Sequence, residues 1–473
     1  MAVTEITGHM PVAARRIPPV FWVALAVVGL ISLPNLADPM IRHDDFPALF
    51  GEGDLFWSKT LHEGRWLNYI WHLRGLQTPA WLNFAAYQLC WATLATALAL
   101  SATRDTPSTV FASVLAALIL VAPPATMISS WFNTLLPGLA VVAAYGLITC
   151  RAEQRTARWL LPVFTLPALM AYTTYPLLLL ALCLAGTRHR SVADLCAVLI
   201  LFAASFAAAV AVTYALNWHV HGVFGVPLAP WREAQPATGL PGLWQNLHWI
   251  EATFATFLDR MSLGSPQLLL VQAMGFVAAL LLMLRRAPLE LAYLGAGLLT
   301  GIGLIALQAA KLGIEVPPRA LLFVWVFWAL ICLRAAQIFA ARPGPLGALG
   351  LVLASMVAVA YGVVAHQRYA SFHPWLEQTR TLQTALAATS GPVHIFGHPA
   401  QSAVGRSAGL QSDEALIFRM RQLGGPALTL CSPPDPICRT LTHHQRDTTG
   451  WQVTQVDGRT VVVVPPVDMA PDR

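Results

Sequence analysis

The chain reads as a succession of apolar runs divided by polar connections, almost from end to end. A helix that crosses a bilayer needs about 20 mostly apolar residues, because lipid offers no partner to an open backbone amide. Such runs stand near 18–36, 79–101, 108–124, 131–150, 158–172, 174–187, 192–216, 266–284, 288–309, 319–339 and 345–365, about eleven in all. The fifth and sixth are short and separated only by Thr173 and Thr174. They read as two half-length spans in preference to one long broken helix, because the flanking charges then fall consistently. The pattern predicts an all-α polytopic membrane protein with about eleven transmembrane helices.

Three stretches break the rhythm: 37–78, 217–265 and everything after 365. In the second, Leu243, Leu247, Ile250, Phe254, Phe257 and Met261 recur in steps of three and four, which predicts one interfacial helix over 243–261. His219 and His221 in WHVHG share a side only in an extended segment, so polar contacts are favoured there over a metal pair. Trp218, Trp231, Trp244 and Trp249 fit an aromatic belt. The tail has helical character over His366 to Ala388, a strand at VHIF (393–396), a helix around 412–423 and a further apolar stretch at ALTL (427–430). WQVTQV and TVVVV, joined across Asp457-Gly458, predict a hairpin. Residues 1–365 are therefore expected to form a transmembrane module, and 366–473 a small soluble α/β C-terminal domain.

Composition sharpens this picture. Of 473 residues, 56% are hydrophobic and 11% charged, with a mean hydropathy of +0.59. A soluble protein carries about 25% charged residues. A cytosolic enzyme, a disordered chain and a fibrous repeat are excluded; most of the solvent is membrane lipid. Net charge is +6, and its distribution orients the chain. Arg15 and Arg16, Arg104, Arg151, Arg155 and Arg158, Arg188 and Arg190, Arg285 and Arg286, and Arg334 and Arg342 fall in one set of alternate connections. The short members of the other set, such as 124–131, are almost free of Lys and Arg. Cytoplasmic connections carry the basic excess, so the amino terminus is expected inside and the tail outside. The charge alternation works with the first run retained as a span and not removed as a signal peptide. No basic stretch interleaved with exposed aromatics suggests nucleic acid as a partner. Of seven cysteines, Cys90, Cys150, Cys183, Cys196 and Cys332 lie in or beside apolar runs, as small apolar residues do. Cys431 and Cys438 lie close together in a polar stretch; a disulfide is favoured there over two free thiols.

Candidate chemistry concentrates in IRHDDFPALFGEGDLFWSKTLHEGRWLNYIWHLRG (41–75). Asp44 and Asp45 are adjacent just after the first span, and Glu52, Asp54 and Glu63 follow. Five carboxylates with Trp57, Trp66 and Trp71 suggest a polar cavity floored by an interfacial helix; an ordinary solvated loop with helix caps is the plainer alternative. Lys311 and Arg319, in KLGIEVPPRALL (311–322), put positive charge on an outer connection against the orientation rule. Function explains that placement better than topology does.

A short amino terminus, one span, an outer Asp-Asp pair and a downstream GRWL on a juxtamembrane helix resemble the GT-C superfamily of polyprenyl-phosphate-sugar glycosyltransferases. Among these the likeness is nearest to the serotype-converting O-antigen glucosyltransferases. YTTYP (172–176) and KLGIEVPPRALL fit the same pattern more loosely, and the likeness covers about the first 330 residues, leaving the tail outside it. The resemblance implies a bacterial inner-membrane enzyme with a periplasmic C-terminal domain and a carboxylate of the Asp44–Asp45 pair as catalytic base. Which of the two is the base is left open. An acceptor hydroxyl is a poor nucleophile and needs such a base. A polyprenyl phosphate leaving group already carries stable negative charge and needs no general acid, unlike the two-carboxylate glycosidases. Arg42, Arg65, Lys311 and Arg319 are candidates for the phosphate clamp. Glu52, Asp54, Trp66 and Tyr175 are candidates for holding the sugar or the acceptor. No cofactor is expected; His43, Asp44 and Asp45 offer ligands to a divalent cation, but three consecutive side chains rarely converge on one ion. A base outside the membrane requires a donor already carried there on lipid, and the acceptor is then a surface glycan, a lipid-linked oligosaccharide or a protein. A transporter or flippase would place ionisable groups mid-span, where this chain has almost none. An O-antigen polymerase or ligase is the closer competitor, and would be expected to rely on outer Arg and His residues far along the chain.

Overall fold

The computed structural model describes residues 12–341, 345–389, 391–431 and 450–465. Arg342 and Cys438 lie outside them, and Arg15 and Arg16 are described in backbone only. The chain divides into two units: residues up to Ile31 with Pro47–Ala365, and Ser32–Phe46 with the residues from His366 onward.

The first unit is helical. Every apolar run of the sequence forms a helix, but among the described residues eight helices are both long and apolar enough to cross a membrane. Thr109–Leu120 and Tyr175–Ala185, at 12 and 11 residues, fall short; at 1.5 Å per residue they extend about 18 Å and 17 Å against a hydrocarbon core of about 30 Å. Gln154–Ala171 is longer, yet Arg155 and Arg158 lower its hydropathy. It and Tyr175–Ala185 form a hairpin. The Gln154 carboxamide oxygen accepts the backbone N–H groups of Arg188 (3.0 Å) and His189 (3.1 Å), so the start of one helix meets the end of the other. The chain reverses at Tyr172, whose extended φ of −156° ends the first helix.

Ala80–Ala102 and Phe132–Thr149 pack closely because the side chains between them are small: a Cβ on Gly146 would lie 2.8 Å from that of Ala97. On Pro288–Leu312, Gly297 and Gly301 receive the rings of Phe327 and Phe323 from Leu322–Ala340, where a larger residue would collide. Pro266–Arg286 is peripheral and exposes Leu270, Val271, Met274, Val277, Leu281 and Leu284, as a helix facing lipid would. The interfacial helix expected over 243–261 is split into Gly239–Gln245 and Leu247–Ser262. Between them the Asn246 amide donates to the carbonyls of Gln235 and Ala310, both at 2.9 Å. Thr253, Phe257 and Met261 form the buried part of the second piece, whereas Leu247 is exposed.

The basic connections gather at one end of this unit. Arg190 pairs with Asp105 at 3.1 Å, and Arg334 with Glu290 at 2.6 Å and with the Thr106 hydroxyl at 2.8 Å. Arg158 chelates Asp194, which also accepts the Tyr293 hydroxyl at 2.5 Å. The Tyr172 turn lies at the opposite end of the hairpin that begins at Gln154.

The second unit holds a four-stranded sheet of order β2-β1-β4-β3, with β1 Val393–Phe396, β2 Leu428–Leu430, β3 Gln452–Val456 and β4 Arg459–Val463. β1 runs parallel to both β2 and β4. The β3–β4 hairpin turns on Asp457 (φ 50°) and Gly458 (φ 74°), the two left-handed residues a tight primed turn demands. Helices His373–Ala385 and Glu414–Gln422 bury Trp375, Leu376, Leu416 and Met420. Cys431 is disulfide-bonded. The segment 32–46 belongs to this unit through three attachments. Asp38 pairs with Arg419, which is 2% exposed, and with Arg380 at 3.0 Å; Arg42 donates to the Gly409 carbonyl; and Phe46 stacks on Phe418 with centroids 5.6 Å apart.

Breaking a buried ion pair from one side leaves an uncompensated charge worth about 3–5 kcal/mol. Asp38→Asn is expected to lower the temperature at which this unit becomes susceptible to protease in the detergent-purified chain, and adding Arg419→Met to restore most of the loss. An Asp38→Asn protein with unaltered resistance would show that the pair does not hold the segment.

Candidate functional site

The sequence-predicted residues fall into two groups, one in each unit. In the helical unit, the polar stretch after the first apolar run forms helices Gly53–Glu63 and Trp66–His72. Gly64 joins them at φ 66°, and a Cβ there would meet Thr213 Cγ2 at 2.8 Å, so both conformation and space require glycine. The turn places Glu63 and Arg65 side by side as an ion pair of 2.6 Å. The second helix is pinned by Asn68, whose amide donates to the Ala171 carbonyl at 2.8 Å, directly before the Tyr172 turn.

That attachment accounts for the most suggestive contact in the unit. The Arg65 guanidinium lies over the Tyr172 ring, 5.5 Å from its centroid. Arg319 lies close enough to the Tyr172 hydroxyl to act on it electrostatically, and its guanidinium lies over the Trp131 ring at 4.5 Å. Arg232 approaches Glu63 at 3.7 Å and lies over Trp231 at 4.9 Å. Tyr175, buried, packs on Tyr172 with centroids 5.3 Å apart. Three guanidinium groups thus meet two tyrosines, two tryptophans and one carboxylate. The surplus of positive charge suits a phosphate, and cation–ring contacts hold each guanidinium plane while its edge remains suited to in-plane hydrogen bonds.

The remaining candidates in this unit have other surroundings. Trp66 is buried and donates its N–H to Asn217 at 2.8 Å, with Trp57, Tyr69 and His221 around the ring. Asp54 is exposed in the first turn of its helix, where an acid complements the helix dipole. Glu52 is the residue preceding that helix and is half-buried. Lys311 is exposed at the end of its helix, where its carbonyl accepts the Ala237 N–H at 2.9 Å. His221 is bonded to the Thr60 hydroxyl at 2.8 Å.

In the second unit, His43–Asp45 is a single 3-10 turn. Asp45 is fully buried, and its backbone N–H donates to the Arg42 carbonyl at 2.9 Å; Asp44 is half-buried. Arg42 and Arg368 converge on Gly409, where an added Cβ would lie 3.5 Å and 3.2 Å from their Nη2 atoms. Among the described residues, no set of three or more His, Cys, Asp or Glu side chains is arranged to hold a metal ion.

Glu63, Trp131, Tyr172 and Arg232 were not among the residues singled out as site candidates, although Glu63 and Tyr172 stand inside the quoted stretches. Arg232 carried one usable signal: like Lys311 and Arg319, it is a cation on a connection expected to lie outside. Trp131 carried none. No protein-family model matches this chain, and no curated protein matches it with statistical support.

His72 ends the pinned helix and is fully buried, stacked on Phe56 at 4.1 Å. Its Nδ1 donates to the Asn68 carbonyl at 2.6 Å, while Nε2 is buried without a partner. Burial above all, with repulsion from Arg74 and Lys59, lowers its pKa to about 4, against the opposing pull of the Asn68 bond. The unfolded chain protonates this histidine near pH 6.5, so between 6.5 and 4 it binds more protons than the folded one. Stability should therefore fall as pH drops through that window, by up to about 3 kcal/mol. Melting curves of wild type and His72→Gln should diverge at neutral pH and converge toward pH 4; parallel curves would show that His72 does not titrate in this way.

Proposed function

We propose that this protein is an integral-membrane glycosyltransferase that moves a monosaccharide from a polyprenyl phosphate to a surface glycan or lipid-linked acceptor on the outer face of a bacterial inner membrane. The observation that carries the reading is the convergence of Arg65 and Arg319 on Tyr172. It lies at the end of the helical hairpin away from the basic connections, with Glu63 as its paired carboxylate. In this reading about eleven helices cross or enter the bilayer, and the basic connections face the cytoplasm.

Arg65 and Arg319 hold the phosphate of the donor. A base takes the proton from the acceptor hydroxyl as its oxygen attacks the anomeric carbon; the family resemblance assigns that role to the Asp44–Asp45 pair, of which Asp44 is the more accessible. The bond from that carbon to the phosphate oxygen breaks, and its electron pair leaves with polyprenyl phosphate, whose charge the two guanidinium groups stabilise. A single in-line displacement inverts the anomeric centre.

The test uses the purified chain in lipid nanodiscs with a panel of radiolabelled polyprenyl-phosphate sugars and an extract of acceptors, following release of polyprenyl phosphate with and without chelator. Asp44→Asn is expected to reduce turnover by at least the 10²-fold typical of a lost acid–base group. Arg319→Ala should raise the KM for donor. Normal transfer by both Asp44→Asn and Asp45→Asn would overturn the assignment of the base. Absence of turnover by folded wild type with every donor would favour a polymerase or ligase, the reading to which Arg232, an outer arginine far along the chain, would then belong.

A further inference from the structure

At the basic end of the helical unit lies a pocket of about 570 Å³. Arg104, Arg155, Arg158 and Arg188 line it with Glu153 and Gln154, and Trp159 and Leu201 complete the wall beside His189. Four guanidinium groups and one carboxylate share this space. Arg158 is committed to Asp194. Among the described residues Arg104, Arg155 and Arg188 form no salt bridge. Arg104 reaches only the Ala152 carbonyl, at 3.4 Å, and its Nε is buried without a partner. Burial first, and then the charge of Arg188, holds the Arg104 pKa below its usual value, so the two cations lie near enough to repel. The Gln154 carboxamide oxygen holds the backbone at Arg188 and His189 beside the pocket.

The wall beside the cations has a different character. Trp159 and Val163, one turn apart on Gln154–Ala171, are 69% and 64% exposed, and Ile200 on Val192–His221 is 69% exposed. Cations set beside an exposed apolar track match a molecule with a phosphate at one end and hydrocarbon at the other. We propose that this pocket binds the phosphate-bearing head group of an anionic membrane lipid, with an acyl chain lying along Trp159, Val163 and Ile200. The site is separate from the proposed donor site, and it requires only that the helices lie in a bilayer, not that the protein transfers sugar. Ordinary basic-loop attraction to an anionic leaflet falls off with distance and needs no pocket; here the charges are gathered around one pocket, and Arg104 and Arg188 lie near enough to repel.

The test is native mass spectrometry of the full chain in detergent, titrated with phosphatidylglycerol, with phosphatidylcholine of the same chains, and with inorganic phosphate as competitor. Wild type should retain phosphatidylglycerol in preference to phosphatidylcholine. Arg104→Gln with Arg188→Gln should bind it about thirtyfold more weakly, on the scale of one lost surface charge each. Arg285→Gln with Arg286→Gln, basic residues outside the pocket lining, should bind as wild type does. Trp159→Ala, which keeps every charge, should weaken retention several-fold and so tests the acyl track even if the arginine variant does not fold. Equal loss in the Arg285/Arg286 control would overturn the pocket in favour of general charge attraction. Unchanged retention in both the arginine-pocket and Trp159 variants would overturn it outright. Displacement of lipid by inorganic phosphate at comparable concentration would assign the site to a free anion and overturn the lipid.

Discussion

A helix that is apolar on every face has to deliver its charges to its ends, and what each charge meets there decides what that end can do. In this chain the two ends of the helical unit solve the problem differently. At the basic end, Arg334, Arg190 and Arg158 meet carboxylates: Glu290, Asp105 and Asp194. At the other, Arg319, Arg65 and Arg232 meet the rings of Trp131, Tyr172 and Trp231, with Glu63 as the shared carboxylate. A carboxylate fork occupies the edge of a guanidinium and neutralises it. A ring supports the plane and leaves the charge in place. The first arrangement ties connections together; in the second Arg319 keeps its charge, while Arg65 and Arg232 share Glu63.

The second unit applies the same chemistry to its own polypeptide. Arg419 is removed from water and Asp38 largely so, and such a pair adds little net stability over a well-packed apolar one. What it does fix is a path. With Asp38 held by Arg419 and Arg380, Arg42 by Gly409, and Phe46 by Phe418, the seven residues between Asp38 and Phe46 are fastened at both ends. The His43–Asp45 turn lies within that stretch. The C-terminal residues therefore determine how the acidic pair is presented, which gives this unit a part in the proposed chemistry that its remoteness in sequence conceals.

Local features were legible in the sequence. Apolar runs gave the helices to within a few residues, because lipid-compatible length is written in composition. The Asp457-Gly458 turn was legible because only certain residues adopt a left-handed conformation readily. The charge alternation selected connections that do meet, as Arg190–Asp105 and Arg334–Thr106 attest. The failures share one cause. The split at Asn246 depends on a carbonyl 64 positions away, the fastening of 32–46 on partners more than 340 positions away, and the Arg65–Tyr172–Arg319 convergence on three separate connections. No local periodicity encodes such pairings. Arg319 and Arg65 could be nominated because cations at that end are rare, whereas Trp131 and Tyr172, the rings that hold them, look like any aromatic at a membrane boundary.

The two anion-suited regions of the helical unit also differ in the kind of phosphate they fit, and the difference follows from how their arginines are supported. A lipid that stays bound benefits from several fixed cations beside an exposed apolar track, the pattern around Arg104, Arg188 and Trp159. A phosphate that must take on charge as a bond breaks, and then depart, is served by fewer cations whose orientation is set by rings and whose field is partly offset by a neighbouring carboxylate. Glu63 is that offset. Binding donor and product phosphate equally tightly would slow release, whereas stabilising chiefly the charge that develops in the transition state accelerates the step. In the proposed reaction, the Glu63–Arg65 pair lowers the standing attraction for phosphate, while Arg319, held by Trp131 and Tyr172, remains aimed where the negative charge grows.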